Sequence, residues 1–139
     1  MIRTGDTIHN PVTGERITFH ATSADTNGES VVIECTVQPD GFVAATHVHP
    51  SQSERFAVIE GTLGLKSGKE ELTLGRGEIA VVEPGTPHRF WNAGDEEVPV
   101  RMEPRASGVS KLRGRKAVKV AATVIGTLVA ARLWARRSG

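Results

Sequence analysis

The sequence predicts an antiparallel all-β domain, a sandwich or a barrel, followed by a basic segment and an apolar helical tail. Three observations carry this expectation. Between residues 6 and 103, short apolar runs alternate with polar residues, with the period of two that marks a half-buried strand. Turn residues interrupt those runs about every 8–12 positions, the spacing of an antiparallel sandwich or barrel. No helical periodicity of useful length occurs before residue 110.

The elements follow in order. Val31, Ile33, Cys35 and Val37 alternate with Glu34, Thr36 and Gln38. Pro39-Asp40-Gly41 then ends that strand with turn-forming residues. A second strand is expected over residues 42–49 and a third over 54–60, stopped by Gly61. Leu63 and Leu65 open a fourth, turned by Lys66-Ser67-Gly68-Lys69. Residues 71–74 form the next, before Gly75-Arg76-Gly77. Residues 79–83 read as a short apolar strand, stopped by Pro84-Gly85-Thr86-Pro87. Residues 88–92 and 98–102 complete the series.

Charge divides the chain at the same place as pattern does. The total over 139 residues is +1. Residues 1–104 hold all 16 acidic side chains and eight basic ones, a net of −8, while residues 105–139 hold nine basic and no acidic ones. The expected organisation is a β-domain over residues 1–104 and a basic linker with an apolar helical tail over 105–139. Within the tail, residues 117–135 lack proline and residues 120–131 lack charge. Nineteen helical residues span about 28 Å, which just matches a hydrocarbon core. Three readings stay open: a span with Lys119 and Arg132 snorkelling, a helix lying on an anionic membrane surface, and a soluble helix that docks on a partner or hangs free.

Several classes are excluded. Gly 15 and Pro 7 are too few and scattered for a collagen or a low-complexity chain. A single cysteine, Cys35, rules out an intramolecular disulfide and any multi-cysteine zinc site. It fits a buried, inert thiol in a reducing cytosol. The first residues carry no apolar run, so no secretory signal is expected. The expected location is the cytoplasm, with membrane association through the tail left open. Nucleic-acid binding is not expected, because the basic stretch lacks interleaved aromatics and the acidic body repels phosphate. No Ser/His/Asp arrangement, phosphate loop or nucleotide fingerprint occurs.

Of five histidines, His9 and His20 read as ordinary polar residues. The other three stand with a glutamate in one pattern. His47 and His49 are two apart on an expected strand, so both imidazoles leave one face about 7 Å apart. Pro50 and Ser51 form a turn, and Glu54 opens the returning strand, where its carboxylate faces the pair. His88 stands on a later strand and arrives from across the barrel. Phe90 shares its face, while Arg89 and Trp91 point the other way. Phe56 and Val58 read as core. Three imidazoles and one carboxylate suit a divalent transition metal such as Fe, Mn, Ni, Cu or Zn. Such a set leaves one or two coordination positions for water, O2 or a chelating substrate.

These residues resemble the cupin superfamily. Gly41-x5-His47-x-His49-x4-Glu54-x6-Gly61 is similar to its first motif, position for position. The second motif is matched by Gly77, Gly85, His88 and Asn92 at the family's spacing, with Glu83 where a proline is usual and Pro84 beside it. The resemblance covers residues 30–103 and leaves the tail outside. It implies a double-stranded β-helix, a jelly roll of six to eight strands, with the metal inside on His47, His49, Glu54 and His88. It also implies a homodimer.

Two functions are expected from this pattern. The first is a metal-dependent enzyme on a small polar organic substrate, a dioxygenase or an isomerase. The second is a non-catalytic ligand-binding or sensor cupin tethered by its tail to a membrane or a protein partner. The fold hosts both kinds of protein, so fold does not choose between them.

Overall fold

The computed structural model of the chain describes residues 1–40 and 45–106. The expected tail helix, Gly41 of the first motif and residues 42–44 of the expected strand over residues 42–49 lie outside the described residues. Nine strands occur among those described: β1 (Thr7–His9), β2 (Arg16–Ala21), β3 (Val32–Val37), β4 (Gln52–Val58), β5 (Leu63–Ser67), β6 (Glu70–Leu74), β7 (Ile79–Val82), β8 (His88–Asn92) and β9 (Val98–Ala106). They form a six-stranded sheet in the order β1-β2-β3-β9-β4-β7 and a three-stranded sheet in the order β6-β5-β8. Every neighbouring pair is antiparallel.

Register explains where the core and the site fall. Phe19 pairs with Ile33, Ile33 with Met102, Met102 with Phe56, and Phe56 with Ala80. These residues make one continuous row across the inner face of the large sheet, and all but Ala80 are buried. Leu63, Leu65 and Phe90 cover that row from the smaller sheet, with the Phe56 and Phe90 rings 5.4 Å apart. One step along the strands, Pro104 pairs with Glu54 and Glu54 with Val82. The polar site thus begins one row above the apolar core.

Four expectations change at the strand level. The sequence pattern left the segment before residue 31 undivided, and it forms β1 and β2. The count among the described residues is therefore nine, above the six to eight that the resemblance implied. Residues 45–49, expected within a strand, make only an isolated bridge at His47. β4 begins at Gln52, so Glu54 stands inside it and does not open it. β9 runs past Met102 through Pro104 to Ala106. A proline suggests a strand's end because it cannot donate to the ladder. Here the Pro104 carbonyl accepts from Val31 N at 3.3 Å, so its ring nitrogen faces the frayed start of β3.

Candidate metal centre

Backbone bonds, not a shared strand, bring the three histidines together. His47 and His88 form an antiparallel bridge in which each backbone nitrogen donates to the other's carbonyl at 3.0 Å. Gly85 N donates to the His49 carbonyl at 2.9 Å. That contact needs the turn at Pro84-Gly85, where Gly85 takes φ +77°, a conformation that costs glycine little. The loop carrying His47 and His49 is therefore stitched to the start of β8. Glu54 rises from the inner face of β4 to meet them.

The four predicted ligands converge. His47, His49, Glu54 and His88 each offer a donor atom, and these atoms all lie within 4.8 Å of one another. Two ligands about 2.1 Å from one ion are about 3.0–4.2 Å apart in octahedral geometry, so small side-chain shifts close the set on a cation. His88 and Glu54 are 1 % and 2 % exposed. His49 is also buried and His47 is half-buried, so the cluster opens to solvent on the His47 side.

Hydrogen bonding fixes which ring nitrogens face inward. His47 Nδ1 donates to the Ala45 carbonyl at 3.0 Å, and His88 Nδ1 donates to the Thr86 carbonyl at 2.9 Å. Carbonyls accept only, so Nε2 of each ring points to the centre, the arrangement that orients metal-binding histidines. His88 Nε2 then lies 2.8 Å from Glu54 Oε2, and His49 Nε2 lies 3.5 Å from the same oxygen. In a neutral His88 that nitrogen is an acceptor facing an anionic acceptor. A proton shared between the two atoms makes this contact a hydrogen bond, and a metal ion bound by both would take the place of that proton. The donor set therefore fits a divalent transition metal.

The electrostatics follow from the same contacts. Burial pushes the Glu54 pKa up, but the facing His49 and His88 outweigh it and hold the carboxyl well below its usual range. Burial pushes His88 down, while Glu54 and the Thr86 carbonyl outweigh that and raise it. Burial lowers the His47 pKa, only partly offset by the Ala45 carbonyl. These contacts favour an ionised Glu54 carboxylate facing the imidazoles of His49 and His88.

The remaining candidates fall elsewhere. His9 is exposed on β1, and His20 meets Glu34 at 3.2 Å on the outer surface. Glu83, the departure from the second motif, is exposed and takes no part in the cluster. Phe56 and Phe90 are buried beneath His88, with the Phe56 ring 6.3 Å from the imidazole. Arg89 stacks on Trp91 at 5.1 Å on the outer face. Cys35 is a buried free thiol. Sequence reading missed Gln52, which is buried on the same inner face two residues before Glu54. The available signal was the period of two extended backward from Glu54, but Gln52 follows Pro50 and Ser51 and reads as turn.

Comparison with known proteins agrees with this architecture. A family model described as "Cupin domain" matches residues 33–102. No curated protein matches the sequence. Among solved structures, a predicted oxalate decarboxylase from Thermotoga maritima superposes with a TM-score of 0.64 at 13 % identity, covering 76 % of this chain and 99 % of its own. The Cnp3 cupin domain of Schizosaccharomyces pombe gives 0.63 at 8 % identity, covering 76 % and 71 %. A cupin-superfamily sugar phosphate isomerase from Silicibacter pomeroyi gives 0.58 at 21 % identity, covering 68 % and 60 %. At these identities the likeness is one of fold.

Proposed function

This chain belongs to the cupin domain family, and on that premise we propose that it holds one divalent transition metal on His47, His49, Glu54 and His88 and binds a small polar organic ligand beside it. The observation that carries the proposal is the convergence of four donor atoms, from His47, His49, Glu54 and His88, within 4.8 Å of one another, with His47 Nδ1 and His88 Nδ1 already committed to backbone carbonyls. The ion is one of Fe, Mn, Ni, Cu or Zn, since imidazole and carboxylate donors accept all of them.

A bound metal of this kind supplies Lewis acidity toward an oxygen-rich ligand, or a site for O2. The chain's own residues do the rest. Ala45 and Thr86 carbonyls hold two rings with Nε2 inward. Glu54 lowers the net charge of the site by one. Phe56 and Phe90 close the floor against water. Besides the cluster, the buried ionisable groups among the described residues are Glu15 and Cys35, and neither belongs to the cluster. Among the described residues no further buried ionisable group stands at the cluster, which supports metal-centred dioxygenase or isomerase chemistry on a chelating substrate. The same feature favours the second reading, a ligand-binding or sensor module without turnover. The resemblances to a predicted oxalate decarboxylase and a sugar phosphate isomerase support small oxygen-rich compounds as the ligand class.

Metal analysis by mass spectrometry of untagged protein tests the centre. The expected result is about one ion per chain, lost in His47→Ala and His88→Ala. A near-zero content, unchanged in those variants, sinks the assignment. Oxygen uptake and ligand-induced thermal shifts across a panel of small hydroxy acids and sugars then separate enzyme from binder.

The proposal extends to assembly and attachment. Two copies pairing as a homodimer would cover Ile79 and Val81, which are about half exposed on the edge strand β7. The cytoplasm is the proposed location, with the tail as an attachment to a membrane or a partner. Light scattering tests the first, and vesicle flotation of the whole chain against one ending at Ser107 tests the second. Among the described residues no helix is long and apolar enough to cross a membrane.

A further inference from the structure

The inner wall of β4 carries a polar residue that the metal centre does not use. Gln52 is 3 % exposed, and neither its amide nitrogen nor its amide oxygen has a hydrogen-bond partner among the described residues. Alternation places it: Gln52, Glu54, Phe56 and Val58 are buried, while Ser53, Arg55 and Ala57 between them are less so. Gln52 therefore shares a face with Glu54 and stands about 7 Å from it along the strand. It lies one step farther from the apolar row of Phe56. Across the ladder it pairs with Ala106, whose methyl group offers no polar contact. The order along this wall is thus apolar floor, metal-facing carboxylate, then an unused amide.

Burying an amide without partners is unfavourable, and an aliphatic side chain of the same length would avoid the cost. We propose that Gln52 is a specificity-determining residue that hydrogen-bonds the small ligand held at the metal centre. The inference rests on the metal reading above. One primary amide presents two N–H donors and a carbonyl acceptor on neighbouring atoms. It matches a ligand with a hydroxyl beside a carbonyl or carboxylate oxygen, the hydroxyl donating to Gln52 Oε1 and the oxygen accepting from Gln52 Nε2. The same pair of oxygens suits chelation of a divalent transition metal, so one ligand class satisfies both the metal and the amide.

The test uses the full chain loaded with Co2+, whose visible absorption reports the coordination shell. Glycolate is the probe, with acetate as the control that lacks the hydroxyl. Wild type should bind glycolate more tightly than acetate. Gln52→Leu should take up Co2+ with unchanged affinity and spectrum and melt no lower than wild type. It should weaken glycolate binding at least about tenfold and remove the preference over acetate. Gln52→Met serves the same purpose should the leucine variant fail to fold. Wild type that takes up no Co2+ overturns the metal reading, and the role of Gln52 with it. Loaded wild type that ignores glycolate overturns the ligand class. A loaded Gln52 variant that binds glycolate as wild type does overturns the role of Gln52 alone and leaves the metal centre standing.

Discussion

Glu54 and Glu15 are both nearly sealed from solvent, at 2 % and 5 % exposure, yet their surroundings drive their pKa values in opposite directions. Glu54 faces His88 at 2.8 Å and His49 at 3.5 Å, and those imidazoles bring its carboxyl well below the usual range despite burial. Glu15 faces a hydroxyl and a thiol, Thr13 Oγ1 at 2.7 Å and Cys35 Sγ at 3.8 Å. Burial dominates there, and its pKa is raised. Burial alone therefore does not mark a metal site. What marks it is a carboxylate buried against groups that can become, or can bind, a cation. Glu54 has such partners, while neutral donors merely accommodate Glu15.

Removing ligands should separate the two regions most sharply. Glu54→Ala and His88→Ala should each weaken Co2+ binding at least about a hundredfold, the upper end of what losing a ligand's supporting partner alone costs. Glu15→Gln should leave that affinity unchanged, as read by competition with a chelating dye. Equal losses in all three would erase the distinction.

Stability gives the next contrast. Metal that binds only the folded chain stabilises it by about 2.7 kcal/mol at a hundredfold excess over Kd. Calorimetry should show the melting temperature rising with Co2+ in wild type and in Glu15→Gln. Glu54→Ala should melt at a temperature indifferent to the ion, and stripping wild type with a chelator should reverse its rise.

A smaller effect comes from pH at Glu15. Its folded pKa lies above the unfolded value near 4.5, so the folded state binds the proton more tightly. The ionised side chain then costs stability above the folded pKa, and that cost disappears as pH falls below the unfolded one. Glu15→Gln should accordingly melt a few degrees higher at pH 7, with the gain vanishing below about pH 4.5. A constant gain across the range would mean that packing, not charge, sets the difference.

Smallest is the reactivity of Cys35. Burial first, and the neighbouring Glu15 charge next, push its thiol well above the ordinary value. Thiolate is the reactive form, so a disulfide reagent should modify Cys35 only as fast as the chain unfolds. Prompt labelling of the native protein would show this interior to be open.

Much of the architecture was legible in the linear sequence. Alternation at Val31, Ile33, Cys35 and Val37 gave away β3 almost to the residue, and Pro-Gly and Gly-rich turns bounded β7 and β8. The ends of the domain were harder to read. β1 has three residues and pairs only with β2, so its periodicity is too short to register. β9 crosses Pro104, which argues for a break unless the neighbouring strand is known to be starting there. His47 and His49 were read as a strand pair because their spacing fits one. In the fold, a single bridge and a backbone bond to Gly85 do that work.

The choice of four candidate ligands was legible in the sequence, because residue type and spacing specify which side chains can donate to a metal. So was the division between an acidic body and a basic tail, which is a matter of counting charges along the chain. Tertiary structure alone decided that these four side chains meet. Glu54 belongs to the six-stranded sheet and His88 to the three-stranded one, and no local pattern encodes the register between two sheets. It alone decided that Nε2 and not Nδ1 faces inward, since that depends on which carbonyls lie behind the rings. It also decided that Gln52, a turn residue by its neighbours, is buried with no partner for its amide among the described residues. Burial and hydrogen-bond partnership depend on segments far apart in the chain, and those are brought together only when the two sheets close.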